Sequence, residues 1–148
     1  MRKLLMLAVV LGSMAGCAFE KTSTTQPSAP TLTGTWSGDL ALQGGTARMT
    51  WALTQTDASV AGPVLVALPS GTVLLNGALA GTVSGSTLTY VINIGPGAVP
   101  SQPACTGQLA GTAATTFGTT STLAGTYSVA SSTCATPFSN GPFTLSRM

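Results

Sequence analysis

Any chemistry in this chain must come from very few side chains. Its 148 residues include no histidine, three acidic residues, five basic residues and three cysteines. Without histidine there is no Ser-His or Cys-His base arrangement. The glycines are scattered and form no phosphate-binding loop. Asp39 and Asp57 are the carboxylates of the main body. A glycosidase pair would need them within about 5–10 Å of each other. Taken singly, Asp39 suits the outward side of a strand and Asp57 suits a turn. The cysteines are Cys17, Cys105 and Cys134. A metal site is one use for them, but the histidines and acidic residues that would complete a ligand set are missing. The expectation is a non-enzymatic protein with no cofactor and no metal.

The chain opens MRKLLMLAVVLGSMAGC, with Arg2 and Lys3 ahead of an apolar run from Leu4 to Leu11 and then small residues. That is the layout of a secretory signal, and the run is shorter than the ~20 residues of a membrane-spanning helix. Met14-Ala15-Gly16-Cys17 resembles the lipobox of bacterial lipoproteins, a family that usually has Leu where Met14 stands. The resemblance implies a signal peptide over residues 1–16 and a diacylglycerol thioether on Cys17. It also implies acylation of the new N-terminus by chains such as palmitate, and partnership with a membrane through that lipid anchor. The expected location is the cell envelope; Ala18, where a retention Asp would otherwise stand, implies the outer membrane if the cell is Gram-negative. Ordinary cleavage that leaves Cys17 free is the competing reading. Export places the body in a disulfide-permissive compartment, so Cys105 and Cys134 are expected to pair. Such a bridge is worth about 3–4 kcal/mol in the chain-entropy model.

Beyond the leader, Lys21, Arg48 and Arg147 balance Glu20, Asp39 and Asp57, which leaves no net formal charge. With no basic patch, nucleic acid is a poor partner.

Residues 17–31 form the lipidated N-terminus and a disordered tether, since AFEKTSTTQPSAPT is rich in Thr, Ser and Pro. Residues 32–148 form the folded body. Within it apolar residues alternate, as in Met49, Trp51 and Leu53 or Leu88, Tyr90, Ile92 and Ile94, the period of half-buried strands. Seven or eight strands are expected, over about 33–42, 46–56, 60–68, 72–83, 87–94, 106–115, 121–130 and 141–147. Gly44-Gly45, Asn76-Gly77 and Ser84-Gly85 are hairpin-type dipeptides; a turn at Asn76-Gly77 would break the fourth strand. Pro69-Ser70-Gly71 and the residues around Asp57 read as turns, and GPGAVPSQPA (Gly95–Ala104) as the longest loop. Sequential short connections imply sequential antiparallel pairing. The fold class is all-β, a small antiparallel up-and-down barrel, with a Thr/Gly-rich β-sandwich as the alternative.

A short motif recurs along the body: LTGTW at Leu32, LAGTV at Leu79, LAGTA at Leu109 and LAGTY at Leu123. The intervals are unequal, which excludes a solenoid. Alternation places the Leu, the Gly and the final apolar residue on one face, toward the core, where a glycine leaves room and lets the sheet curl. Gly34-Thr35-Trp36 resembles the Gly-x-Trp signature of calycins, the barrels of lipocalin and avidin type. In lipocalins an Arg near the end of the last strand covers that Trp. The resemblance therefore implies that Arg147 lies over Trp36 and closes the barrel; the competing reading lets Arg147 fray into solvent.

Two functional readings stand. In the first, the barrel is filled by its own side chains, and the protein is a cell-envelope lipoprotein serving as a surface or interaction module. In the second, a calycin-like barrel binds a small apolar ligand, with Trp36, Trp51, Tyr90 and Tyr127 as lining or core. The first is preferred; a solvent-open interior cavity of several hundred Å³ would reverse that preference.

Overall fold

The computed structural model describes residues 30–42, 45–135 and 138–148. The signal segment, Cys17, nearly all of the tether and Gly44 lie outside the described residues.

Among the described residues all regular structure is strand: β1 Gly34–Leu42, β2 Gly45–Thr56, β3 Ser59–Ala67, β4 Val73–Ser84, β5 Thr87–Ile94, β6 Gly107–Thr116, β7 Thr122–Ser132 and β8 Phe138–Arg147. They close in sequence order into an antiparallel up-and-down barrel, β1 meeting β8. The sandwich alternative is set aside. The alternation that defined the strands also orients them. On β2, Ala47, Met49, Trp51 and Leu53 are buried while Arg48, Ala52 and Thr54 are exposed. On β5, Leu88, Tyr90, Ile92 and Ile94 face inward.

Local turn chemistry accounts for two hairpins. Asp57 sits at φ 52° in the β2–β3 turn, between the paired residues Thr56 and Ser59. Gly85 sits at φ 59° between the paired Ser84 and Thr87. Positive φ at the first turn residue matches the twist of the flanking strands, and aspartate tolerates it better than most residues. Asn76-Gly77 is not a turn. β4 runs through it, with Asn76 paired to Leu65 and Gly77 to Val64. Beyond the end of β5, the Asn76 N–H donates to the Ala98 carbonyl at 2.7 Å, so the long loop takes over as its partner. The last connection is also shorter than expected from sequence, because β7 continues to Ser132 and β8 begins at Phe138.

The recurrent glycines have a cross-strand role. Gly81 pairs with Tyr90, Tyr90 with Gly111, Gly111 with Tyr127, and Tyr127 with Gly141. Glycine and tyrosine thus alternate across five strands, β4 to β8. A Cβ on Gly141 would lie 2.5 Å from the Tyr127 ring, and one on Gly111 would lie 2.8 Å from the Tyr90 hydroxyl and collide with the Thr126 carbonyl. The missing side chains of Gly111 and Gly141 make room for the neighbouring tyrosines, whereas a Cβ on Gly81 would meet the Thr89 carbonyl first. Gly125, paired with Phe143 one row away, instead leaves room for the neighbouring strand itself, since a Cβ there would collide with the Thr112 carbonyl and Ala113.

Candidate functional site

The two ends of the barrel are unlike. One end carries the β2–β3 and β4–β5 turns, the β6–β7 connection and Arg147. The other carries the β1–β2, β3–β4, β5–β6 and β7–β8 connections, including the Gly95–Thr106 loop.

The first end is shut. Leu32, just before β1, is buried, and its carbonyl accepts the Trp36 indole N–H at 2.8 Å. Gly34, between them, holds φ 137°, a conformation that L side chains rarely adopt. The Arg147 guanidinium carbon stands 4.8 Å from the Trp36 ring centroid and 5.9 Å from that of Phe117. Its Nη2 donates to the Thr31 carbonyl and, at 3.1 Å, to the Thr33 carbonyl. Arg147 also pairs with Trp36 across the β1–β8 seam, and the Met148 N–H donates to the Thr35 carbonyl at 2.9 Å. A guanidinium on an indole face contributes about 0.5–2 kcal/mol, more when desolvated.

The second end is open and holds a cavity of about 260 Å³. Its walls are apolar, with Leu40, Met49, Val64, Val66, Leu75, Ile92 and Leu109 among them, and no charged residue among the described residues lines it. Trp51, Tyr90 and Tyr127 also line it. Trp51 packs against Tyr90 at 5.0 Å edge to face and against Phe143 at 5.1 Å between centroids. The Tyr90 hydroxyl donates to the Thr126 carbonyl at 3.0 Å. Burial raises the Tyr90 pKa strongly, with a further push from nearby Tyr127, and burial raises that of Tyr127. Both phenols are therefore neutral near pH 7, and the cavity is uncharged. The Trp51 indole nitrogen is buried and has no hydrogen-bond partner among the described residues.

Two crosslinks hold the mouth. Cys105 and Cys134 form a disulfide with Cα atoms 5.0 Å apart, tying the β5–β6 loop to the β7–β8 connection. The Thr106 N–H donates to Thr133 Oγ1 at 2.9 Å beside it. Cys134, Ala135 and Val99 reach the cavity from these loops, and Leu42 stands at the rim, 38% exposed.

The aromatic set named from the sequence therefore divides. Trp51, Tyr90 and Tyr127 line the cavity, whereas Trp36 packs at the shut end. Sequence reasoning missed the aliphatic walls. Alternation marks Met49 and Ile92 as inward, but Val64, Val66 and Leu75 lie in unbroken apolar runs, and nothing local says which inward residues meet one another and which meet space. Asp39 and Asp57 do not come together. Asp39 pairs with exposed Arg48 at 3.7 Å, and the eight β2 residues Met49–Thr56 separate Arg48 from Asp57, roughly 25–30 Å at strand rise.

No protein-family model, curated protein or solved structure matches the chain.

Proposed function

We propose that the body is a small calycin-like barrel that binds an apolar ligand at its open end, as part of a non-enzymatic lipoprotein of the cell envelope anchored through Cys17. The observation that carries the binding reading is the open, uncharged, apolar cavity of about 260 Å³. Ligand pockets run about 300–1,000 Å³, and an apolar cavity of roughly 150 Å³ accepts benzene. The ligand is accordingly a compact molecule of one or two rings, or a short acyl chain. Support for the calycin-like assignment comes from the eight-stranded closure and from Arg147 over Trp36. Support for the anchor comes from Ala15-Gly16-Cys17 alone.

The small volume also favours a second reading, a surface or interaction module whose cavity is a packing defect. Titration with a neutral naphthyl fluorophore separates the two. The binding reading expects a saturable blue shift that is lost in Leu75→Trp, a variant that fills the cavity and keeps the wild-type circular dichroism. Absence of binding by the wild type favours the interaction module. Intact-mass analysis of protein made in a lipoprotein-processing host checks the anchor: a diacylated N-terminal Cys17 is expected, and an unmodified cysteine overturns it.

A further inference from the structure

The shut end of the barrel is also the end at which the chain enters it. Thr31 and Thr33 give their carbonyls to Arg147 Nη2, and Leu32 between them is buried. Cys17 stands fourteen residues upstream of Thr31, so an anchor there holds the body from this end. The same end leaves apolar side chains in water. Four large hydrophobic residues are exposed among the described residues: Leu42, Leu65, Phe117 and Met148. Leu42 belongs to the mouth and Leu65 to the outer wall. Phe117, 36% exposed, and Met148, 81% exposed, meet at the shut end. The Phe117 ring lies 5.9 Å from the Arg147 guanidinium carbon, and the Arg147 N–H donates to the Ser121 carbonyl at 3.0 Å. Arg147 thus ties the β6–β7 connection, the entering chain and Met148 into one surface. Gly118, Thr119 and Thr120 beside it are exposed and uncharged. The charges at this end among the described residues, Arg147 and Asp57 of the β2–β3 turn, have opposite signs.

We infer that the shut end is a membrane-contacting surface, where Phe117 and Met148 enter the interfacial layer of a lipid bilayer and the open mouth faces away from it. This rests on the anchor reading above and extends it to an orientation. Lipid is the occupant because an anchor at Cys17 brings a bilayer to this end of the body. Two side chains bury too little apolar area to hold a protein on a membrane unaided, since even one myristoyl chain does so only marginally. An anchored body meets the bilayer at a high effective concentration, so a weak contact is enough to orient it. One charge of each sign gives this end no preference between anionic and zwitterionic lipid. Strands of eight to twelve residues separate the two ends. At strand rise and barrel tilt that places the mouth roughly 20–30 Å from the lipid. A ligand then arrives through the aqueous side and not from the anchoring leaflet.

The chain beginning at Cys17, coupled through that thiol to maleimide-bearing lipid in phosphatidylcholine nanodiscs, tests this whether or not a cell acylates the cysteine. Cys105 and Cys134 are paired and do not compete for the label. With a gadolinium chelate on a fraction of the headgroups, the amide signals of Gly118, Thr120 and Met148 are expected to be lost. Those of Gly97, Val99 and Ala104 at the mouth are expected to remain. Magnetisation transfer from lipid methylenes to the Phe117 ring and the Met148 methyl is expected as well, which a tether alone would not give. Phe117→Ser combined with Met148→Ser is expected to abolish that transfer and to weaken the loss at Gly118 and Thr120. Equal loss at both ends, loss at the mouth alone, or no transfer in the wild type overturns the inference. So does a gradient that persists unchanged in the double variant, because the tether alone then sets the orientation. The anchor reading is judged apart from this, by the intact mass at Cys17. The wild-type spectra decide the matter even if the double variant does not fold.

Discussion

The shut and open ends of this barrel are made from the same sheet and similar side chains, yet one is packed and the other hollow. The difference lies in the connections and the seam. At the shut end, two-residue turns bring strands together at once, Leu32 plugs the interior, and the seam pairs Trp36 with Arg147 and Ser37 with Ser146. At the open end the β3–β4, β5–β6 and β7–β8 connections are longer, residues of the last two reach the cavity, and the β1–β8 pairing of Trp36 and Ser37 does not extend to Leu40 and Leu42. Stability is concentrated where the sheet closes, and the space for a ligand lies where it does not.

That division can be broken or sharpened by substitution. The largest effect is expected from Trp36→Ala, since truncating a fully buried tryptophan costs about 3–5 kcal/mol; urea unfolding measures it, and a loss below 1 kcal/mol would show that the shut end is not the stable one. Replacing both Cys105 and Cys134 by Ala is expected to cost about 3–4 kcal/mol by the chain-entropy model, read from the same curves, and also to weaken ligand binding because the mouth loses its crosslink. Arg147→Met keeps an apolar stem and removes the charge and its donors, for an expected loss of about 1–3 kcal/mol with the ligand affinity unchanged.

A smaller effect concerns pH. The folded state holds the Tyr90 and Tyr127 pKa values above the ordinary phenol value. Above about pH 10 the unfolded chain releases these protons while the native chain keeps them. Stability from this source is whole below that pH and declines as pH rises past it. Melting temperature measured from pH 8 to 11 should fall at the upper end, and Tyr90→Phe should flatten the fall. The smallest effect on stability belongs to Leu42→Gln at the rim, within about 0.5 kcal/mol; a polar group at the mouth should nonetheless weaken the naphthyl probe.

Much of the fold was legible because its rules are local. Alternation in Met49–Leu53 and Leu88–Ile94 marks strands, and Asp57 and Gly85 mark turns by their backbone preferences. Cys105 and Cys134 were readable as a pair because the leader, read as an export signal, implies an oxidising compartment. Asn76-Gly77 misled for the converse reason: a turn-forming dipeptide is overridden when both of its sides find partners, here β3 and the Ala98 carbonyl. The hollow end was not legible. Whether Val64, Leu75 and Ile92 touch or face a gap depends on register, bulges and loop length summed around the barrel. Alternation marks Ile92 as inward, the apolar runs around Val64 and Leu75 leave even that open, and the sequence is silent on what any of the three meets. The unpartnered donor of Trp51 was invisible for the same reason, because satisfaction of a buried group is a property of its surroundings.

The seam also bears on the order in which the barrel assembles. Each other pair of neighbouring strands is adjacent in sequence, so its closing loop is short. The seam joins Thr33 and Arg147, 114 residues apart. Such contacts carry the largest loop-closure cost and set the slow step of β-rich chains. Until they form, the molecule is a curled sheet with two bare edges, β1 and β8, each a template for a neighbouring chain. The strands themselves carry few charges to discourage such pairing, Asp39 and Arg48 being neighbours that cancel. Protection during assembly therefore depends on speed: the Arg147 clasp, with its indole and two carbonyl partners, is the device that ends the exposed interval, and a chain slow to make it is at risk of joining another chain instead of itself.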